Sequence, residues 1–283
     1  MKKTVILLVL SIVLNSLLIA EEWEKSGTIS LNVNQNSYSD NWVGDEISNF
    51  NWALNLNATF QKQLSNSIHN KNTVKLAFGQ THNQQRNDAG EKYWEKPSKS
   101  TDLIDLESMF RFTMGWFADP FAAVRFESQF LDSGYDESKM INPINLTESI
   151  GLARQLIKED KRELTTRLGA AFKQFQDSRI DGMIDATDGG LEFVTEFFTP
   201  LMNDMVQFNS KLYLYQALFY SEEDSDPDDN WKAMDMNWEN ILSAKLIGLV
   251  NINFYMQLLY DKQFVDEFRI KQTLGLGLSY QLF

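Results

Sequence analysis

The sequence predicts an all-β chain, a 12-stranded antiparallel transmembrane β-barrel behind an N-terminal signal peptide. Three observations carry that expectation. Segments with apolar residues at every second position recur along the chain, the period of a strand with one dry and one wet face. The connections between them alternate between short and long. Residues 268–283 (FRIKQTLGLGLSYQLF) form a last strand with Leu274, Leu276, Leu278, Tyr280 and Leu282 on one face and Thr273, Gly275, Gly277, Ser279 and Gln281 on the other. An uncovered strand edge is an aggregation hazard in water, and pairing it with the first strand of a membrane barrel removes the hazard.

Residues 1–20 (MKKTVILLVLSIVLNSLLIA) read as a secretory signal peptide. Lys2 and Lys3 supply the positive start, Val5 to Leu14 the apolar core and Ala20 a cleavage position. As a retained helix the stretch, interrupted by Asn15, is short for a span of about 20 residues. Residues 21–283 then read as one outer-membrane β-barrel domain without linker or low-complexity tail.

Composition narrows the classes of function. A formal net charge of −13 argues against a nucleic-acid partner. An exported chain with no cysteine has neither a disulfide framework nor a thiolate metal site. Hydrophobic content of 43% and a mean hydropathy of −0.33 suit a barrel as well as a soluble protein, because half of each barrel strand faces a polar interior.

In chain order, residues 28–36 set Ile29, Leu31 and Val33 against Ser30, Asn32 and Asn34. Residues 50–62 set Trp52, Leu54, Leu56, Ala58 and Phe60 against a row rich in asparagine. Asparagine is a poor choice for an exposed strand face, so that row suits a wet lumen. The third strand, 72–82, opposes Val74, Leu76 and Phe78 to Lys75, Ala77 and Gly79. The fourth and fifth, 101–114 and 120–131, place Asp105, Glu107, Arg111, Arg125 and Glu127 on the inner side, with Asp119-Pro120 at the turn between them. The sixth and seventh, 148–158 and 163–175, flank the turn Glu159 to Arg162. Arg154 is anomalous there, falling in the apolar row of Ile150, Leu152 and Leu156. The eighth, 190–198, carries the weakest alternation, with Leu191, Phe193 and Phe197 outward. The ninth to eleventh, 205–220, 232–244 and 249–260, send Lys211, Tyr213, Asp235, Asn237, Glu239, Asn251 and Asn253 inward.

Twelve is an even number, as one-chain bacterial barrels require. Connections 63–71, 115–119, 159–162, 199–204 and 245–248 form the short, periplasmic set. Connections 37–49, 83–100, 132–147, 176–189, 221–231 and 261–267 form the external set.

Several stretches together carry a family resemblance: NWVGDEIS (41–48), the strand Phe50 to Phe60, KAMDMNWENILSAKL (232–246) and QLLYDK (257–262). In their order along the chain they resemble an uncharacterised family of outer-membrane β-barrels of Bacteroidota-type bacteria, domain of unknown function 3078. Asp45 stands where that family usually has a glycine. The resemblance implies the barrel fold and a cell outer-membrane location, and brings no established ligand or reaction.

The candidate functional residues form a lumen electrostatic network: Asp105, Glu107, Arg111, Arg125, Glu127, Arg167, Lys173, Lys211, Asp235 and Glu239, with Lys245 and Lys271 in the same rows. Such a set can filter ions in a water-filled channel. It can also pair internally and hold a small barrel shut, and mixed signs on adjacent strands favour pairing. Tyr280, Leu282 and Phe283 are the candidate assembly signal. Leu282 is expected to hold the register, and Phe283, one place out of phase, to turn into the lumen mouth.

No catalytic residue is assigned. His69 falls in a predicted periplasmic turn, and no serine stands at a spacing that would orient His82. The acidic run Glu222 to Asp229 offers hard oxygen ligands for Ca²⁺, but it does not follow the EF-hand spacing and reads as a solvated loop. No metal and no cofactor are expected. Trp42, Trp94, Trp116, Trp231 and Trp238 lie near strand ends, where they suit interfacial anchoring. The expected partners are outer-membrane lipid and the outer-membrane assembly machinery. The leading reading is an outer-membrane barrel acting as a passive small-solute channel or a structural envelope component. The alternatives are a barrel enzyme and a secreted soluble β-sandwich binding module.

Overall fold

In the computed structural model, which describes residues 23–39, 46–133, 138–159, 161–178, 184–226 and 228–283, twelve long antiparallel strands close into a barrel. They are β1 (Glu24–Asn36), β2 (Asn49–Ser65), β3 (Ile68–Arg86), β4 (Ser98–Phe112), β5 (Asp119–Ser128) and β6 (Ile144–Glu159). The second half is β7 (Arg162–Asp177), β8 (Ile184–Leu201), β9 (Val206–Tyr220), β10 (Asp235–Ile247), β11 (Val250–Asp261) and β12 (Val265–Gln281). Each strand pairs with its neighbours in sequence, and β1 pairs with β12 through Thr28↔Gln281 to Asn32↔Gly277. A three-residue strand, Lys92–Trp94, adds to the far end of β3, and Leu131–Asp132 pairs with Lys139–Met140 in the loop after β5. The predicted signal peptide and Asn41 to Asp45 lie outside the described residues.

Alternation sorts side chains to two faces. Outside stand Leu31, Leu54, Ile150, Leu168, Leu191, Leu274, Leu276 and Leu278, all exposed. Inside lie small and charged residues such as Ala123, Ala153, Ala171, Asp105, Glu107 and Arg167, all buried. Exposed leucines in such numbers would be a liability in water, whereas a lipid-facing band requires them.

One end of the barrel carries tight turns, such as Ser65 to Ile68, Glu159 to Arg162 and Ile247 to Val250. In the last of these Gly248 takes a φ of 58°, which favours a residue without Cβ. The other end carries the longer loops, with one exception. The connection expected over 261–267 is a tight turn, because the hairpin continues to Asp261 and resumes at Val265. The Tyr260 hydroxyl donates to Asp266 at 2.8 Å, and its ring lies 5.0 Å from that of Phe268, which pins the hairpin to its tip.

Three further expectations need correction. Phe283 does not turn into the lumen mouth. After Gln281 the chain leaves the ladder, the Leu282 N–H donates to the Gly27 carbonyl at 2.8 Å, and the Phe283 ring folds outward to 5.8 Å from that of Phe60. Gly27 makes the room, since a Cβ there would come within 2.9 Å of the ring. His69 lies within β3 opposite Arg111, because the turn is shorter than expected. Trp231 is buried against Tyr220 rather than set at an interface, and its backbone N–H donates to Asp226 at 2.9 Å.

Candidate functional site in the barrel interior

The interior is built in layers. Nearest the turn end is an apolar cluster of Met109, Phe121, Ala123 and Ala153. Gly151 and Gly169 face each other beneath Phe121, and a Cβ on Gly169 would come within 3.0 Å of the ring. Their missing side chains let the ring lie on the wall and leave it 3% exposed. The Arg167 guanidinium rests 5.5 Å from that ring.

Above the cluster runs a chain of charges. Arg167 on β7 donates to Glu107 on β4 at 2.5 and 3.3 Å, and its Nε lies 3.4 Å from Glu192 on β8. Glu107 also meets Lys211 of β9 at 3.4 Å. Lys211 reaches Glu196 at 3.3 Å, and Lys71 of β3 reaches the same carboxylate at 3.1 Å. At mid-height Arg125 forms a fork on Asp105 at 2.9 and 3.0 Å and meets Glu127 at 2.9 Å. Lys75 of β3 reaches Glu239 of β10 at 2.9 Å, and Tyr255 donates to Glu239 at 3.5 Å.

Towards the loop end Lys173 sits 3.5 Å from Asp235 and 3.3 Å from the centre of the Tyr215 ring, while the Tyr215 hydroxyl donates to Asp188. Arg111 stands apart at the turn end, 3.6 Å from Asp119. Lys245 is exposed, and Lys271 donates to Thr101 at 3.3 Å.

Strand order turns these distances into an argument about the lumen. Lys71–Glu196, Lys75–Glu239, Glu107–Lys211 and Glu107–Arg167 join strands that are not neighbours in the sheet. They are chords across the barrel, so opposite walls approach within the reach of two side chains. Arg125, Lys211, Tyr213, Asn237 and Glu239 line an interior crevice too narrow to hold a water molecule. Charges in such surroundings persist when paired and hydrogen-bonded.

Sequence alternation missed Lys71, Glu192 and Glu196. Lys71 falls in a stretch that the sequence assigns to a turn, and the two glutamates lie on β8, whose weak alternation shows only its outward row. The alternation Glu192, Val194, Glu196 against Leu191, Phe193, Phe197 is the signal that could have found them. The acidic loop turns on itself. Asp226 accepts from Asn230 at 3.1 Å and Asp229 meets Lys232 at 2.7 Å. Among the described residues no cluster of three or more acids, histidines or cysteines could hold a metal ion. His82 lies at the loop end, its ring 6.3 Å from that of Phe50.

Solved structures with some likeness include the translocator domain of autotransporter NalP from Neisseria meningitidis, at 11% identity over 92% of this chain and 88% of that one, with a TM-score of 0.36. Another is the COG4313 outer membrane channel from Pseudomonas putida F1, at 11% identity over 91% and 94% of the two chains, with a TM-score of 0.41. TM-scores of this size decide nothing about activity. No curated protein matches the chain. The motifs at 232–246 and 257–262 lie outside the segment that a family model matches. Residues 33–135, from late β1 to the loop after β5, match the model of the family described as protein of unknown function (DUF3078).

Proposed function

We propose that this chain is an outer-membrane barrel shut by its own ion pairs, serving as a structural envelope component that carries surface loops rather than as an open diffusion channel. One observation carries the reading: Lys71–Glu196, Lys75–Glu239 and Glu107–Lys211 bridge opposite walls at 2.9 to 3.4 Å. A water-filled pore would keep these groups apart and solvated. The outward leucine rows support a transmembrane placement, with the tight turns in the periplasm and the longer loops outside. On this reading residues 1–20 are a removed signal peptide and residues 21–283 the barrel. Outer-membrane lipid surrounds the wall, and the assembly machinery reads the end of β12 through Tyr280, Leu282 and Phe283.

Planar-bilayer conductance of the purified, folded protein tests the reading. The wild type should be electrically silent, and the triple variant Glu107→Gln/Glu196→Gln/Glu239→Gln should show openings. Steady conductance from the wild type would instead make the chain a passive small-solute channel. Partition into membranes and a change in gel mobility on boiling test the transmembrane placement separately.

A further inference from the structure

Arg154 is the charge that the interior does not use. It faces outward on β6 in one row with Ile150 and Leu152, which are 66% and 53% exposed. Among the described residues its guanidinium makes neither an ion pair nor a hydrogen bond. Its one partner is the Phe117 ring, 3.7 Å away. Two other exposed charges on this strand have partners: Glu148 accepts from Gln174 at 3.0 Å and Glu159 pairs with Arg162 at 3.4 Å, so an unpaired charge is not general on this wall.

The surroundings set its level. Phe117 and Trp116, 83% and 66% exposed, occupy the turn between β4 and β5, at the end assigned to the periplasm. Arg154 is in register with Thr166 on β7, and Thr166 with Thr195 on β8. The two threonine hydroxyls bond each other at 3.2 Å. Arginine and two threonines thus form a short polar line, one residue deep, across three strands, between Leu152, Leu168 and Phe193 on one side and Leu164 and Phe197 on the other. A charge on the lipid face of a barrel is costly at mid-membrane and tolerated near the interface. Aromatic side chains in the adjacent turn mark that interface.

We propose that Arg154, steadied by Phe117 beside the exposed Trp116, is a seat for the phosphate of one phospholipid in the periplasmic leaflet. The planar guanidinium offers paired N–H donors to phosphate oxygens. The aromatic ring holds one face of the guanidinium, leaving its in-plane donors free. The acyl chains then lie along Ile150, Leu152 and Leu168. This site rests on the transmembrane placement proposed above.

The test is native mass spectrometry of the folded full chain in detergent, titrated with dioleoyl phosphatidylglycerol or with the phosphate-free lipid digalactosyl diacylglycerol. The wild type should take up one phosphatidylglycerol in preference to the galactolipid. Arg154→Leu should bind it about tenfold more weakly and lose the preference. Arg154→Lys should retain part of both, and Phe117→Ala should weaken binding by a smaller factor. Equal uptake of the two lipids by the wild type overturns the proposal, as does unchanged phosphatidylglycerol binding by Arg154→Leu. Should Arg154→Leu not fold, wild-type binding in both Arg154→Lys and Phe117→Ala overturns it. Full displacement of the lipid by inorganic phosphate would make this an anion site and not a lipid seat. A chain that stays soluble without detergent defeats the membrane reading itself. Loss of lipid preference in a heat-modifiable, folded barrel defeats only the seat.

Discussion

Replacing Glu239 by glutamine keeps the shape of the side chain and removes its charge from the Lys75 pair. The Lys75 Nζ lies 2.9 Å from Glu239, their side chains are 19% and 12% exposed, and Lys75 has no second acid at ion-pair distance among the described residues. At that separation and an effective dielectric of about 20 the gross attraction is about 6 kcal/mol. The glutamine oxygen still accepts a hydrogen bond, and some water reaches the ammonium, so a net loss of about 3 kcal/mol is expected. Equilibrium urea unfolding of the barrel in lipid vesicles, followed by tryptophan fluorescence, measures it. The double variant Lys75→Met/Glu239→Leu removes both charges and should lie within about 1 kcal/mol of wild type, because the stranded cation has gone. A loss below about 1 kcal/mol for Glu239→Gln alone, the value of a solvated pair, would refute the shut interior.

Two further outcomes follow from packing. Phe121→Ala should lower stability by about 3–5 kcal/mol in the same assay, since the ring is 3% exposed over Gly169 and nothing else fills the space; a loss under about 1 kcal/mol would mean that the cluster is loosely packed. Deleting Phe283 should cost the finished barrel no more than about 2 kcal/mol, because the ring is 53% exposed. The same deletion should sharply reduce insertion in an assay that includes the assembly machinery, and normal insertion would count against the terminal residue as a recognition element.

Much of the wall was legible because the side-chain period of a strand is two, and a lipid-facing row has to be apolar at each turn of that period. Leu274, Leu276 and Leu278 declare both the strand and its face. The interior was legible one strand at a time. Alternation sends Glu107 and Lys211 inward, but it says nothing of the chord between β4 and β9, which depends on barrel girth. Glu196 illustrates the same limit. Its partner Lys71 is remote in sequence and hidden by a misplaced element end, while Glu196 sits in the inward row of a strand whose alternation is weak. Arg154 shows the opposite case. It looked like a fault in the alternation of β6, and the register with Thr166 and Thr195 shows instead a polar line at one height. Phe283 departs from the expected face because parity extends only as far as the ladder, which stops at Gln281.

The closure between β1 and β12 is brief. It runs only over Thr28–Asn32 and Gly277–Gln281, whereas β1 and β2 pair along the whole of Glu24–Asn36. Gly275 and Gly277 leave the inner face bare there, and Asn32 reaches across them to accept from Asn253 of β11 at 3.3 Å. Mechanically the molecule is a hoop with one short weld, braced by struts between β3, β4 and the opposite wall. Under load the weld parts first, because it holds the fewest backbone bonds. The hoop then uncurls into a sheet, and the struts let go while the ladders between sequence neighbours still hold. Two kinds of contact, side-chain struts and backbone ladders, are thereby lost in a fixed order, and the first step is the one that turns a tube back into a ribbon.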